Sequence, residues 1–224
     1  MNPPVLLVTA GPSREAIDDV RFLSNGSSGR MGIEVARKGV EAGWEVHLAL
    51  GPVEAEIPEG VHHHPFVSAC DLEEVTSRLW PQADALVATA AVCDYRPQER
   101  ISGKKKKEPG DWNLTMVRNP DILLNRSQER DGPMGQRILV GFALEADSDE
   151  EEARRKAVKK NLDLVLCNSP GNLGVATGGL HLDRARAAFR PFAGHLQGDV
   201  GGQNGRVYRH SGDASPRSPC QYGE

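Results

Sequence analysis

The sequence of 224 residues lacks any apolar run that approaches the length needed to span a membrane, which is about 20 residues. Its first residues, MNPP, contain neither the charged nor the apolar region of a secretory signal. Because both features are absent, we expect a cytoplasmic protein with no membrane partner.

Cysteine is sparse, and no two cysteines form a CxxC pair. The four residues are Cys70, Cys93, Cys167 and Cys220. Cys93 and Cys167 end apolar segments, which predicts buried thiols in a reducing compartment. An excess of basic charge is also missing, since the net charge is -4 and the dense basic run is confined to residues 104–107. We therefore expect no nucleic-acid partner.

The strongest local pattern lies in residues 5–32, VLLVTAGPSREAIDDVRFLSNGSSGRMG. Residues 5–8 are typical of a buried parallel strand, and a turn-rich loop then leads into an amphipathic helix. Ser27 or Ser28 is expected to cap that helix, so that its N-terminal N–H groups face an anion such as phosphate. An ordinary capped helix is the alternative. The glycine spacing differs from the dinucleotide fingerprint, in which the first glycines follow the strand directly.

Further apolar segments alternate with helical patterns along the chain. We expect strands at residues 44–50, 61–67, 83–92, 138–143 and 162–167, with helices after Asp71 as a cap and at residues 148–161. This alternation predicts an α/β fold, a three-layer Rossmann-like, mostly parallel sheet with helices on both faces. The segment 83–92 leads into Cys93 and Asp94, at the sheet edge where open α/β sheets bind ligands.

Two segments depart from the alternation. Residues 96–112 have neither helical nor strand periodicity and are expected to form a long exposed loop, either functional or merely solubilising. Residues 181–224 are poor in branched apolar residues and rich in glycine and arginine. We therefore expect one nucleotide-binding domain over residues 1–180 and a disordered tail over residues 181–224.

Four segments occur in a characteristic order: TAGPSREAIDDVRFLSNGSSGRMG, then AAVCDYRP followed by KKKK, then VRNPDIL, then VGFALEA followed by ARRKAVKKNLDLVLCN. Over residues 5–168 they resemble the phosphopantothenate cysteine ligase family, the C-terminal domain of the DNA/pantothenate metabolism flavoproteins. The resemblance implies a ligase of coenzyme A biosynthesis that joins 4′-phosphopantothenate to L-cysteine. CTP would supply an acyl-cytidylate intermediate, with release of pyrophosphate and then CMP.

The resemblance also implies roles for individual residues. Asn25 is expected to contact the acyl-cytidylate, Arg21 to lie near phosphopantothenate, and Lys104 to belong to a mobile KxKK strap that closes over the triphosphate. Because this chain has KKKK, the motif does not decide which of the four lysines reaches the phosphates. The residues expected to bind the nucleotide are Ala88, Thr89, Ala90, Asp94, Lys104, Pro120, Asp121, Ile122, Leu123, Phe142, Lys156 and Lys160.

Several of these residues have ordinary structural alternatives. Asn25 suits a turn, Lys156 suits a solvated pair with Glu152, and Phe142 suits the core. Consecutive histidines at residues 62–64 suggest a metal site, but neighbouring residues of a strand point to opposite faces, so a plain strand is preferred.

By the same resemblance Mg²⁺ is expected with CTP, and the sequence does not identify its ligands. No flavin is expected on this chain, because the flavin-dependent decarboxylase that precedes the domain in many bacteria has no counterpart before residue 5. The expected partners are the three substrates, a second copy of the chain in a homodimer, and a separate decarboxylase.

The chain departs from the family pattern at single positions and at its end. Gly26, Arg30, Cys93 and Leu144 replace more usual residues. The closing apolar helix is missing, and a frameshift near His181 is our hypothesis for this difference. Two alternatives therefore remain: an inactive nucleotide-binding remnant of the family, and a nicotinamide-dependent oxidoreductase on a similar fold.

Overall fold

The central feature of the computed structural model, which describes residues 2–132, 135–144, 150–168 and 181–184, is a seven-stranded sheet. Its strands are β1 (Val5–Ala10), β4 (Glu45–Leu50), β5 (Val61–Pro65), β6 (Ala85–Ala88), β11 (Ile138–Leu144), β12 (Leu164–Asn168) and β13 (His181–Arg184). Their order across the sheet is β13-β12-β11-β6-β1-β4-β5. Six strands run parallel, and β13 pairs antiparallel with β12.

The helices cover both faces of this sheet. They are α1 (Arg30–Glu41), α2 (Ala69–Leu79), α3 (Ile122–Gln128) and α4 (Glu150–Lys159), with a 3₁₀ turn at Trp80–Gln82. On β1, Leu6 and Val8 pack with Ile33 of α1, whereas Leu7 faces the other way and packs in the cluster that contains Leu79 of α2. Alternate residues of one strand thus serve two apolar layers, as expected for a strand buried on both faces. The predicted three-layer α/β fold is confirmed.

Three small antiparallel pairs complete the described structure. They are β2 (Arg14–Ala16) with β3 (Phe22–Ser24), β7 (Tyr95–Pro97) with β8 (Met116–Arg118), and β9 (Asp131–Gly132) with β10 (Gly135–Gln136). The first two pairs follow the carboxyl ends of β1 and β6. They carry the loops that surround the candidate site, including most of the predicted exposed loop at residues 96–112.

Three differences between the predicted and the observed elements bear on the architecture. Strand β6 ends at Ala88, short of residue 92, because the chain then turns into the β7–β8 pair. Helix α2 is capped by Ser68, and Asp71 is the reciprocal partner at the third helical position rather than the cap itself. Strand β13 extends the sheet to Arg184, beyond the expected boundary at residue 180.

Beyond Arg184 the expected tail and the frameshift hypothesis concern residues outside the described ranges. Within those ranges, no helix is both long and apolar enough to cross a membrane.

Candidate functional site

The topology places a switch point between β1 and β6. From β1 the chain moves outward to β4 and β5, then crosses over to β6, β11 and β12 on the other side. Crossovers in opposite directions leave a crevice at the carboxyl ends of the two central strands, where open α/β sheets bind ligands. Ala10 and Ala88 end these strands.

Thr9 and Thr89 join the two strand ends. The Thr89 N–H and hydroxyl both donate to the Thr9 carbonyl, at 3.0 and 2.6 Å. The Ala90 N–H donates to the Thr9 hydroxyl at 3.3 Å. Ala88, Thr89 and Ala90 are half-buried, so small side chains line the crevice floor.

Helix α1 begins directly against this floor because Gly32 has no side chain. A Cβ at Gly32 would lie 2.4 Å from both the Ala10 Cβ and the Thr89 hydroxyl oxygen. The predicted serine cap of α1 is wrong. The N-cap is Gly29, in the left-handed conformation with φ of 73°, and no side chain caps the helix. Glycine adopts the left-handed conformation at no steric cost, whereas serine is disfavoured in it.

The N-terminus of α1 retains the electrostatic character that the sequence predicts. Its first turn contains no acidic residue. Instead of capping the helix, the Ser27 hydroxyl accepts from the Gly29 N–H at 3.3 Å. Unsatisfied N–H groups and the helix dipole favour an anion at such an end.

Asn25 reaches across to the segment that follows β6. Its amide donates to the Ala91 carbonyl at 2.9 Å, and the same nitrogen lies 3.7 Å from the Cys93 sulfur. The Cys93 N–H donates to the Ser13 hydroxyl at 3.0 Å. Burial raises the pKa of the Cys93 thiol, which keeps it protonated at neutral pH. Cys93 and Cys70 are half-buried, which is less than the predicted burial, and the side chains of Cys167 and Cys220 lie outside the described residues.

A side chain that the sequence analysis missed, Asn119, brings the VRNPDIL segment to the same edge. Its amide donates to the Cys93 carbonyl at 2.8 Å, and its N–H donates to the Asp94 carbonyl at 2.9 Å. The Arg96 guanidinium donates to the Asn119 side-chain oxygen at 3.2 Å. Asn119 precedes Pro120 and so lies beside the predicted base-binding segment. Its position in that motif was the available signal.

The start of α3 and the end of α4 meet at an ion pair. Asp121 caps α3 by accepting from the Leu124 N–H at 3.2 Å, and the Lys160 ammonium donates to the same oxygen at 2.8 Å. Lys156 lies one turn earlier and is exposed. Phe142 of β11 is half-buried and follows Gly141, which pairs with Ala88 at the end of β6.

The lysine strap lies against the turn that joins β2 to β3. Lys104 is exposed, and the Lys105 ammonium pairs with Glu108 at 2.7 Å. The Arg21 guanidinium donates to the Lys105 carbonyl at 3.1 Å, and its central carbon lies 5.3 Å from the centre of the Trp112 ring. Arg21 and the strap, which the sequence separates by more than 80 residues, are therefore in direct contact.

Few of the described side chains at the crevice could act as ligands of the expected Mg²⁺ ion. Among the described residues, no group of three or more histidine, cysteine or acidic side chains is arranged to hold a metal ion. Asp94 is an exposed carboxylate at the crevice edge. This set fits Mg²⁺ bound mainly through phosphate oxygens with one carboxylate, which is common for this ion.

The three consecutive histidines lie on β5, the strand that the sequence favoured. The rings of His62 and His64 stack on His47 of β4, with ring centroids 4.9 and 5.1 Å away. They are remote from the crevice in the sheet order.

The similarity of this chain to known proteins agrees with this geometry. The family model described as the DNA/pantothenate metabolism flavoprotein C-terminal domain matches residues 2–186. The chain belongs to this family. The resemblance drawn from the four sequence segments is therefore confirmed.

Curated relatives of the family carry the name coenzyme A biosynthesis bifunctional protein CoaBC. The Bacillus subtilis protein is 40% identical over 164 residues, which is 73% of this chain and 39% of that protein. The Vibrio cholerae protein is 38% identical over 165 residues, and the Escherichia coli K12 protein is 37% identical over 166. The chain thus spans about two fifths of the relatives that it matches.

Solved structures in the family share the fold. The C-terminal domain of a CoaBC protein is 33% identical, with a TM-score of 0.67 over 82% of this chain and 83% of that one. A DNA/pantothenate metabolism flavoprotein from Streptococcus pneumoniae is 20% identical, with a TM-score of 0.69 over 80% and 88%. At that identity the likeness concerns the fold alone.

The family fold brings the expected site residues to one edge of the sheet in two groups. Asn25 and the residues that follow β6 are in contact, as are Asp121 and Lys160. Arg21 and the strap form the second group, joined by the hydrogen bond from the Arg21 guanidinium to the Lys105 carbonyl. The resemblance had assigned these residues separately, without indicating which ones touch each other.

Proposed function

We propose that this chain is a CTP-dependent phosphopantothenate–cysteine ligase domain that acts in coenzyme A biosynthesis. The supporting observation is the convergence of Asn25, the α1 N-terminus and the Asp121–Lys160 pair at the switch point of the sheet. Membership of the family, whose curated relatives are named for coenzyme A biosynthesis, supports the same assignment.

The proposed reaction begins with transfer of the cytidylyl group of CTP to the substrate carboxylate. A carboxylate oxygen of 4′-phosphopantothenate attacks the α-phosphorus of CTP, and the bond to the β-phosphate breaks, releasing pyrophosphate. The residues must hold two anions close together, which requires N–H donors and positive charge. The α1 N-terminus, Lys160 and the strap lysines supply these groups on the nucleotide side. Mg²⁺ bound to the phosphates would neutralise part of the triphosphate charge.

In the second step the amine of cysteine attacks the acyl carbon. The new C–N bond displaces CMP, and the amine loses a proton. Asn25 is proposed to donate to the carbonyl oxygen as negative charge develops there. One of its N–H groups is engaged by Ala91, and the long 3.7 Å contact with the Cys93 sulfur is weak enough for a substrate oxygen to replace it.

The remaining assignments are those that the family resemblance implies. Arg21 is proposed to bind an anionic group of phosphopantothenate, since guanidinium suits carboxylate and phosphate. Ala88, Thr89 and Ala90 leave space for ribose or base. Residues 120–123 and Phe142 are proposed to contact the base, and Asp94 a ribose hydroxyl or the metal ion. A homodimer and a separate flavin-dependent decarboxylase are the proposed partners.

The direct test is release of pyrophosphate from the purified protein. The protein is incubated with phosphopantothenate, Mg²⁺ and either CTP or ATP, with and without cysteine. We expect release with CTP, and formation of CMP and the amide when cysteine is added. Absence of release with either nucleotide, from protein shown to be folded, would instead support the inactive remnant.

A pair of variants tests the role of Asn25. Asn25→Ala is expected to lower kcat by about 100-fold, which is typical for loss of one oxyanion donor, with unchanged unfolding temperature. Gln128→Ala removes another exposed amide, at the far end of α3, and is expected to leave kcat unchanged. Equal kcat values for the two variants would contradict the assignment.

A further inference from the structure

Asp18 is a buried carboxylate that the proposed chemistry does not use. Its side chain has 0% exposure. One oxygen accepts from the N–H groups of Val20 and Arg21, at 2.9 and 2.8 Å. The other oxygen accepts from the Arg21 guanidinium and, at 3.0 Å, from the Lys105 N–H of the strap.

The Asp18 carboxylate therefore contacts two protein groups that are proposed to bind different substrates. Arg21 lies on the phosphopantothenate side, and Lys105 lies in the strap on the nucleotide side. The Arg21 guanidinium closes the triangle by donating to the Lys105 carbonyl at 3.1 Å. Hydrogen bonds from Arg21 hold the pKa of Asp18 well below its usual range, so the carboxylate is ionised in any assay near neutral pH.

A second acidic residue, Asp19, anchors the strap without contributing to this triangle. Its carboxylate accepts from the Gly103 N–H at 2.8 Å and from the Arg100 guanidinium at 2.8 Å. Its own N–H donates to the Gly103 carbonyl at 3.1 Å. Asp19 is 49% exposed, and its carboxylate contacts the first part of the loop, at Arg100 and Gly103. It therefore offers a matched control for Asp18.

We propose that Asp18 is a positioning residue that couples phosphopantothenate binding at Arg21 to docking of the strap. The proposal rests on the proposed function and deepens it. The Arg21 side chain is 41% exposed and retains N–H groups for an incoming anion. An anion bound there orders the guanidinium, and through Asp18 it orders the main chain at Lys105. Because linkage is reciprocal, a strap docked over the nucleotide also tightens phosphopantothenate binding.

The strap carries its own reporter, because residues 104–107 are four lysines and trypsin cleaves after lysine. The full chain is digested briefly with and without saturating phosphopantothenate, and cleavage at these lysines is quantified by mass spectrometry. For the unmodified protein we expect phosphopantothenate to slow this cleavage about fivefold or more, the lower end of typical coupling between sites.

The two acidic residues are expected to behave differently. Asp18→Asn keeps the shape of the side chain but removes its charge, so strap cleavage accelerates and no longer responds to phosphopantothenate. Asp19→Asn also accelerates cleavage, because the loop is loosened, but the response to phosphopantothenate remains. In steady-state kinetics, the KM for CTP becomes independent of phosphopantothenate concentration in Asp18→Asn alone.

Two negative outcomes are distinguishable. A strap that responds normally to phosphopantothenate in Asp18→Asn refutes the coupling role while leaving the ligase assignment intact. An unmodified protein that responds to neither phosphopantothenate nor CTP and releases no pyrophosphate refutes both.

A second variant covers the case in which Asp18→Asn does not fold. Lys105→Pro removes the N–H group that donates to the Asp18 carboxylate. The contact between Asp18 and Arg21 is retained. Lys106 and Lys107 remain as cleavage sites. Loss of the phosphopantothenate response in this variant supports the coupling, and an unchanged response refutes it.

Discussion

Replacement of Gly32 by alanine tests the contact that sets α1 against the crevice floor. The added Cβ would lie 2.4 Å from the Ala10 Cβ and the Thr89 hydroxyl oxygen, whereas ordinary contact begins at 3.4 Å. The helix and the strand ends must therefore separate by about 1 Å, which is a large displacement for a close-packed interior. Ala10 cannot rotate away, and Thr89 is held by its hydrogen bond to Thr9.

The expected cost follows from two opposing effects. Overpacking a well-packed contact costs about 1–3 kcal/mol, and the absence of a flexible neighbour places Gly32→Ala near the upper end. Replacing a helical glycine by alanine stabilises the folded state by about 0.5–1 kcal/mol, which offsets part of this cost. The net destabilisation is about 2 kcal/mol, which lowers Tm by about 4–8 °C for a domain of this size. A displacement of about 1 Å at a substrate-binding edge also reduces kcat/KM by about 100-fold.

The control lies in the same helix. A Cβ at Gly39 would meet the Leu6 Cδ2 at 2.7 Å and the Val46 Cγ2 at 2.9 Å, both ends of side chains. Because these atoms can shift, Gly39→Ala is expected to change stability by no more than about 1 kcal/mol. Thermal and urea unfolding of both variants, together with pyrophosphate release, make the comparison. A Gly32→Ala variant as stable and as active as Gly39→Ala would refute the reasoning.

Three further predictions concern charged groups, each with its own measurement. Lys160→Gln is expected to raise the KM for CTP by about 10-fold or more through loss of a charged donor, whereas Lys159→Gln leaves it unchanged; steady-state kinetics decide. Arg130→Ala is expected to cost about 3–5 kcal/mol in urea unfolding, because Arg130 is 2% exposed and paired with Asp163, whereas the exposed Lys38→Ala changes it by less than about 1 kcal/mol. Burial lowers the pKa values of His47 and His64, so the unfolded chain binds more protons and stability falls as pH drops through the ordinary histidine range near 6.5. Neighbouring His62, His63 and Arg78 lower these pKa values further, and Glu45 opposes the shift at His47. Replacing both His47 and His64 by glutamine is expected to flatten the pH dependence of the free energy of unfolding between pH 5 and 7. An unchanged slope would contradict this prediction.

Much of the fold was predictable because parallel strands in a three-layer sheet are buried on both faces. Such strands appear in the sequence as continuous apolar runs, as in β1 and β11. The short pairs β2–β3 and β7–β8 were not predicted. Their strands contain three residues each and are too short for a periodic signal. Strand β13 contains four residues and was missed because it is also too short for a periodic signal.

The first helix shows how a local rule was overridden. Serine is a better cap than glycine by propensity, and Ser27 and Ser28 both precede α1. The chain instead turns at Gly29 with a positive φ, because the start of the helix must approach the strand ends closely enough for Gly32 to contact Ala10. That distance is a property of the packed layers and has no representation in the local sequence.

The sequence by itself determined the α/β class, the parallel strands, the family and the identities of the candidate site residues. Each of these depends on local composition or on a motif whose residues are close together. Only the tertiary structure decided which of these residues touch. The contacts between Asp121 and Lys160, and between Asp18, Arg21 and Lys105, join segments that are 39 and up to 87 residues apart. The second of these contacts arises from the strand order of the sheet, since the switch point brings the loops that follow β1 and β6 together at one edge.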